Sequence, residues 1–206
     1  GELSAKGGVE GTATVTFNGI RAASVRANLR RTPQETRRRK FLDRVINSLM
    51  PGSSLTDFSI QGEDAHDGAL VFEIDFEQMN FGRVDSSGLM RVQTALFREP
   101  VASAYGKLRQ RARPLMVGRQ RETDYRLSLT LPEGFEPTVE SKSGEWSLDS
   151  QFGQFRRDVS VEDGELKVDS RLELPIQRVS TKSYPQFQKW AVRVEQSSRL
   201  LMTLER

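Results

Sequence analysis

The sequence predicts an α+β fold of predominantly antiparallel, sandwich-like strands, with a helical layer in a first unit and one late helix in a second. Three observations carry this. Residues 9–17, 70–77, 125–131 and 166–174 alternate apolar and polar side chains with the period of two that a half-buried strand requires. Residues 41–49 and 187–194 repeat apolar side chains at helical spacing instead. Turn-forming Gly, Asp, Asn and Pro clusters separate these stretches, and 206 residues are enough to bury a core.

In chain order, Val9, Gly11, Ala13, Val15 and Phe17 share one strand face, opposite Thr12, Thr14 and Thr16. Asn18-Gly19 turns the chain, and residues 20–30 form a short helix through Val25 and Leu29. Thr32-Pro33-Gln34-Glu35 has the order of a capping box with proline at the first helical position. The helix behind it carries Phe41, Leu42, Val45, Ile46 and Leu49 on one stripe, turns its arginines to water and stops at Pro51-Gly52. Residues 55–60 make a strand, 62–68 a turn, and Leu70, Phe72, Ile74 and Phe76 a second half-buried strand. After the turn at 85–88, Met90, Val92, Thr94 and Leu96 continue in antiparallel fashion.

Residues 98–121 have weak periodicity and many charges, which places a boundary near 118. The predicted domains are therefore 1–118, an antiparallel sheet with packed helices, and 119–206, a small β-rich unit with a C-terminal helix and strand. In the second, Tyr125, Leu127, Leu129 and Leu131 alternate with polar residues. Residues 145–148 and 154–161 are strands, Glu162-Asp163-Gly164 a hairpin turn, and 166–174 the returning strand. Ser183-Tyr184-Pro185-Gln186 reads as another capping box ahead of Phe187, Trp190, Ala191 and Val194, and Leu200, Met202 and Leu204 as a last strand.

With 36% hydrophobic and 29% charged residues the chain is polar, but its patterning argues against disorder. No apolar run approaches the roughly 20 residues of a membrane-spanning helix. The opening Gly1-Glu2-Leu3-Ser4 lacks the pattern of a signal peptide and reads as the start of a processed or excised piece. The absence of cysteine removes disulfides, thiolate metal sites and cysteine nucleophiles, and His66 is the single histidine. The formal charge is +3 with a pI near 9.4. The positive residues gather in two runs, Arg21 to Arg44 and Lys107 to Arg121, which suit phosphates, acidic glycans or an acidic partner.

One ordered set of short motifs runs through the second half. It comprises Arg113-Pro114, then the stretch from Tyr125 through Leu131-Pro132-Glu133-Gly134-Phe135, then Tyr184-Pro185-Gln186-Phe187-Gln188-Lys189-Trp190. In order and spacing this resembles the C-terminal region of bacterial transglutaminase-like proteins. Gly8-Val9-Glu10-Gly11-Thr12, residues 19–26 and the helix over 36–49 fit the same family. The resemblance implies an accessory region, a domain of unknown function, detached from a Cys-His-Asp core. It also implies an extracytoplasmic place, periplasmic or at the cell envelope. The family's catalytic residues have no counterpart here, since no cysteine is present to match.

The residues themselves offer few sites. Glu73, Asp75 and Glu77 share a strand face and read as a wet sheet surface rather than a hydrolase pair. Glu63, Asp64, His66 and Asp67 read as a polar turn, lacking the ligand order of a calcium loop. No phosphate loop, dinucleotide fingerprint or nucleophile elbow accompanies them. The expectation is therefore no catalytic residue, no metal and no cofactor. The candidate interaction surface is Arg30, Arg31, Arg37, Arg38, Arg39, Lys40 and Arg44, with Trp146 as the aromatic expected to be exposed. The expected partner is the missing core of the parent protein or another protein. Carbohydrate or an anionic polymer is the alternative, and nucleic acid is not expected because no reading element accompanies the basic run.

Overall fold

The computed structural model describes residues 1–31, 34–94, 100–138, 141, 143–198 and 201–206, excepting the side chains of Arg37, Ser48 and Leu49. Thr32, Pro33, Leu96 and Leu200 lie outside the described residues. The fold is α+β with antiparallel sheets, and the chain divides into two compact units, Gly1–Arg83 and Val84–Arg206.

The first unit contains β1 (Glu2–Leu3), β2 (Val9–Phe17), α1 (Gly19–Arg30), α2 (Glu35–Leu49), β3 (Ser54–Gln61) and β4 (Leu70–Gln78); β5 (Gly82–Val84) spans the division. Its sheet runs β1-β2-β4-β3, all antiparallel. Val15 faces Phe72 and Ala13 faces Ile74, so the alternation read from sequence places one apolar face under the helices. Phe72 is fully buried, meeting Phe17 at 5.5 Å and Phe41 of α2 at 6.3 Å, both edge-on. Leu42 and Ile46, one turn apart, are likewise fully buried. Helix α2 begins at Glu35 with Gln34 as its cap and no side-chain cap bond. Its C-terminal turn passes through Met50 to Gly52 at φ 95°, as Pro51-Gly52 predicted.

The second unit contains β6 (Met90–Gln93), α3 (Val101–Tyr105), β7 (Leu115–Val117), β8 (Arg121–Thr130), β9 (Glu136–Pro137), β10 (Gly144–Ser147), β11 (Gln154–Glu162), β12 (Glu165–Leu174), β13 (Gln177–Val179), α4 (Tyr184–Ser197) and β14 (Leu201–Glu205). Its larger sheet is β10-β11-β12-β8; β6-β14-β9 form a second and β7-β13 a two-stranded ribbon. The β11–β12 hairpin turns through Asp163 at φ 51° and Gly164 at φ 75°, the paired positive angles of a two-residue turn. Tyr184, Phe187, Trp190, Ala191 and Val194 of α4 pack on Phe152, Phe155, Leu172 and Leu174. Burying each of the larger apolar side chains stabilises by about 1.5–3 kcal/mol.

Two sequence expectations need correction. The division falls at Arg83/Val84, not near 118. The weakly periodic stretch holds α3 and β7, whose Val101, Leu115 and Val117 are buried in the second unit's core. Elements of five and three residues are too short to print a period. The helix start at Ser183 also lacks the box geometry: its hydroxyl pairs with that of Ser180 at 2.9 Å, and no side chain caps α4. No described helix is long and apolar enough to cross a membrane.

Candidate interaction surfaces

The basic run of the first unit splits into structural and exposed members. Arg26, 4% exposed, donates from Nε to the carbonyl of Gly62 at 2.8 Å. Its Nη2 reaches the carbonyls of Asp67, Gly68 and Ala69 at 3.0–3.3 Å. The β3–β4 loop is thus tied to α1. Gly62, at φ 78°, is required there, since a Cβ would sit 2.5 Å from the Ala69 carbonyl oxygen. Arg38 grips Glu63 with two hydrogen bonds of 2.9 and 2.6 Å. Arg39 donates to the carbonyls of Leu55 and Thr56 at 2.9 and 2.8 Å, where the register of edge strand β3 shifts. These carbonyls would otherwise face water or another strand.

Arg38, one of the arginines expected to face water, is therefore half-buried on the sheet side, whereas Arg39 makes its bonds while remaining exposed. The physical reason is length: an arginine stem spans the gap between helix and sheet edge and ends in a donor fork that carbonyls satisfy. Arg30 and Arg31 at the end of α1, and Lys40 and Arg44 one turn apart on α2, remain exposed. The Arg37 side chain lies outside the described residues. His66 is exposed at the loop tip, and no group of three His, Asp or Glu among the described residues is placed to hold a metal.

The opposite, uncovered face of this sheet is acidic. Register places Glu2 beside Glu10, Glu10 beside Glu77, and Asp57 beside Asp75, with Glu73 in the next row. All six are exposed. Thr12 donates to Asp75 at 2.6 Å and Ser59 to Glu73 at 2.9 Å, but no lysine or arginine among the described residues pairs with any of the six. Like charges directly across strands destabilise a sheet. Periodicity showed Glu73, Asp75 and Glu77 in one strand; the cross-strand partners Glu10 and Asp57 depend on register, which no single stretch reveals.

The wet face of the second unit's larger sheet is built differently. Arg126 pairs with Asp169 at 3.0 Å, and Arg171 with Glu173 at 2.6 Å and Glu122 at 3.5 Å. Lys167 meets Glu165 at 3.2 Å, which raises the lysine pKa, while Glu165 is lowered first by the Ser128 hydroxyl and then by Lys167. Charges of both signs are mixed on this face and joined by ion pairs, although Asp158 stands opposite Asp169 and Arg156 opposite Arg171.

Trp146 is half-buried rather than exposed. It faces Arg157 across β10 and β11, and Arg157 faces Ser170, which faces Tyr125. This row lies on the inner face, between the buried rows of Phe155 and Val159. Burial pushes the Arg157 guanidinium pKa down, and the Tyr125 hydroxyl partly opposes this. Between the polar flanks Gly144 and Ser147, a four-residue edge strand shows too little alternation to reveal in sequence which way Trp146 faces.

A family model described as a domain of unknown function with a solved structure, DUF3858, matches residues 88–201, more than half of the chain. This chain belongs to the DUF3858 family. No curated protein and no solved structure matches it. The DUF3858 match falls within the second unit and crosses residue 118 without a break, in keeping with the division at Arg83/Val84.

Proposed function

We propose that this DUF3858 protein is a non-catalytic accessory module of a transglutaminase-like, extracytoplasmic protein, and that its first unit docks on the catalytic core of that protein. The observation that carries the reading is the acidic sheet face of Glu10, Asp57, Glu73, Asp75 and Glu77. A face needed only for solubility would mix its charges, as the second unit's sheet does. Uncompensated carboxylates in register cost stability in isolation and favour a basic partner surface, which they also steer into place. The choice of parent is supported by the order of Arg113-Pro114, the Leu131-to-Phe135 segment and Tyr184-to-Trp190. The non-catalytic role is supported by the lack of any cysteine to act as the nucleophile of such a core.

The test is a pull-down of the full chain against the separately expressed core, at low and high salt, with a Glu73→Lys/Asp75→Lys variant alongside. Salt-sensitive capture that the variant loses is the expected result. Capture that the variant retains would move the docking surface away from the acidic face. No capture at either salt would overturn docking and leave an independent binding module, to be screened against glycans and polyanions.

A further inference from the structure

Residues 100–121 and 174–194 of the second unit contain no aspartate or glutamate, yet together carry ten lysines and arginines. The fold brings these two stretches together. Strands β7 and β13 pair, with Arg178 opposite Met116. The Tyr184 hydroxyl donates to the Leu108 carbonyl at 2.8 Å, and the Gln188 amide to the carbonyls of Gly106 and Leu108 at 2.7 and 2.9 Å. The Arg111 guanidinium lies over the Tyr184 ring, 5.4 Å from its centre. The basic loop between α3 and β7 is thereby pinned on the first turn of α4.

The inner face of the ribbon, Leu115, Val117 and Val179, is buried in the core. Alternation turns Met116 and Arg178 outward, with Ile176 on the same side as Arg178. Leu108, Met116 and Ile176 are 53%, 59% and 63% exposed. Lys107 and Arg109 flank Leu108, Arg178 stands opposite Met116, and Arg113 and Lys182 belong to the same two stretches; all five are exposed and without an ion pair among the described residues. Elsewhere in this unit, exposed cations on the sheet are matched by carboxylates.

We propose that this patch binds the surface of an anionic phospholipid bilayer. Cations there meet headgroup phosphates, and large apolar side chains set among them reach the acyl boundary. A nucleic-acid surface would instead offer exposed aromatic rings for stacking, whereas Tyr184 and Phe187 are fully buried. The proposal stands independently of the docking role of the first unit.

Co-sedimentation of the full chain with vesicles tests it, comparing phosphatidylcholine alone with phosphatidylcholine containing about one-third phosphatidylglycerol. Binding to the anionic vesicles alone, weakened by salt, is expected. Each cation near such a surface strengthens partition about fivefold, so Lys107→Glu/Arg109→Glu/Lys182→Glu should weaken it by about a hundredfold or more. Leu108→Ser/Met116→Ser/Ile176→Ser should remove the fraction that survives high salt. All six side chains are exposed, and near-UV circular dichroism of both variants verifies their folding. Equal binding to neutral vesicles, no vesicle binding, or full binding by the charge-reversed variant would overturn the proposal. So would displacement by millimolar inorganic phosphate, which would make the patch a free-phosphate site.

Discussion

The guanidinium of Arg157, 1% exposed, donates from Nη2 to both the carbonyl and the hydroxyl of Thr94, at 2.7 and 2.6 Å. Thr94 directly follows β6, so this one side chain joins the two sheets of the second unit. Its Nη1 meets the Tyr125 hydroxyl at 3.3 Å, and its Nε has no partner.

A buried cation held by neutral acceptors is costly to desolvate, and an apolar residue of similar length escapes that cost. Arg157→Met should therefore be neutral or more stable by about 1–2 kcal/mol in urea unfolding. Thr94→Val keeps the carbonyl but removes the hydroxyl acceptor, and should cost about 1–3 kcal/mol. A large loss on Arg157→Met would mean that the clamp itself, rather than filled volume, holds the sheets together.

On the acidic face, Asp57→Lys would place a cation beside Asp75. Removing a like-charge pair and adding an opposite one should raise stability by about 0.5–1 kcal/mol at low salt. The gain should shrink as salt is added. A gain that is insensitive to salt would point to propensity at the register shift instead of charge.

Arg26 should act locally. Arg26→Met frees the carbonyls of Gly62, Asp67, Gly68 and Ala69, which water can then reach, so the cost should be only about 1–2 kcal/mol. Hydrogen exchange should accelerate across residues 62–69 and stay unchanged in β8 and β12. Uniform acceleration through the chain would contradict a loop-anchoring role.

The Asp85 turn should respond to acid. Asp85 Oδ1 accepts from the Ser87 hydroxyl at 2.5 Å and from the amides of Ser87 and Leu89, and Arg91 lies nearby. The Ser87 hydroxyl is the main cause of a pKa below the ordinary aspartate value, aided by these amides and by Arg91. A carboxylate depressed on folding adds stability at pH above its unfolded pKa, and this is lost as pH falls through the folded value. An NMR titration should find the Asp85 midpoint low, and Ser87→Ala should move it upward; an unmoved midpoint would assign the shift to the amides and Arg91.

Gly153 should tolerate no side chain. A Cβ there would lie 2.4 Å from the Glu173 carbonyl oxygen and 2.9 Å from the Trp190 ring. Trp190 is itself fixed by its indole bond to the Leu148 carbonyl at 2.9 Å. Gly153→Ala should cost about 2–3 kcal/mol through overpacking and shift the Trp190 emission. Wild-type stability and emission would show that the β10–β11 connection yields easily.

By itself the sequence determined the antiparallel α+β character, the long strands β2, β4, β8 and β12, and the apolar stripes of α2 and α4. These follow from periodicities of two and 3.6 that long elements print directly on the chain. Short pieces such as β7, β13 and α3 hold too few residues to show a period, so the division between units was misplaced. Only the tertiary structure decided which charges matter. Register set Asp57 against Asp75 and Glu10 against Glu77, and ribbon pairing joined the basic loop near Leu108 to Arg178 across some seventy residues. It also drew Arg26 and Arg38 into the fold, tied the exposed Arg39 to the edge of β3, and turned Trp146 inward. A long flexible cation reads the same in sequence whether it reaches a carbonyl or water, because that choice depends on what the distant chain places within its reach.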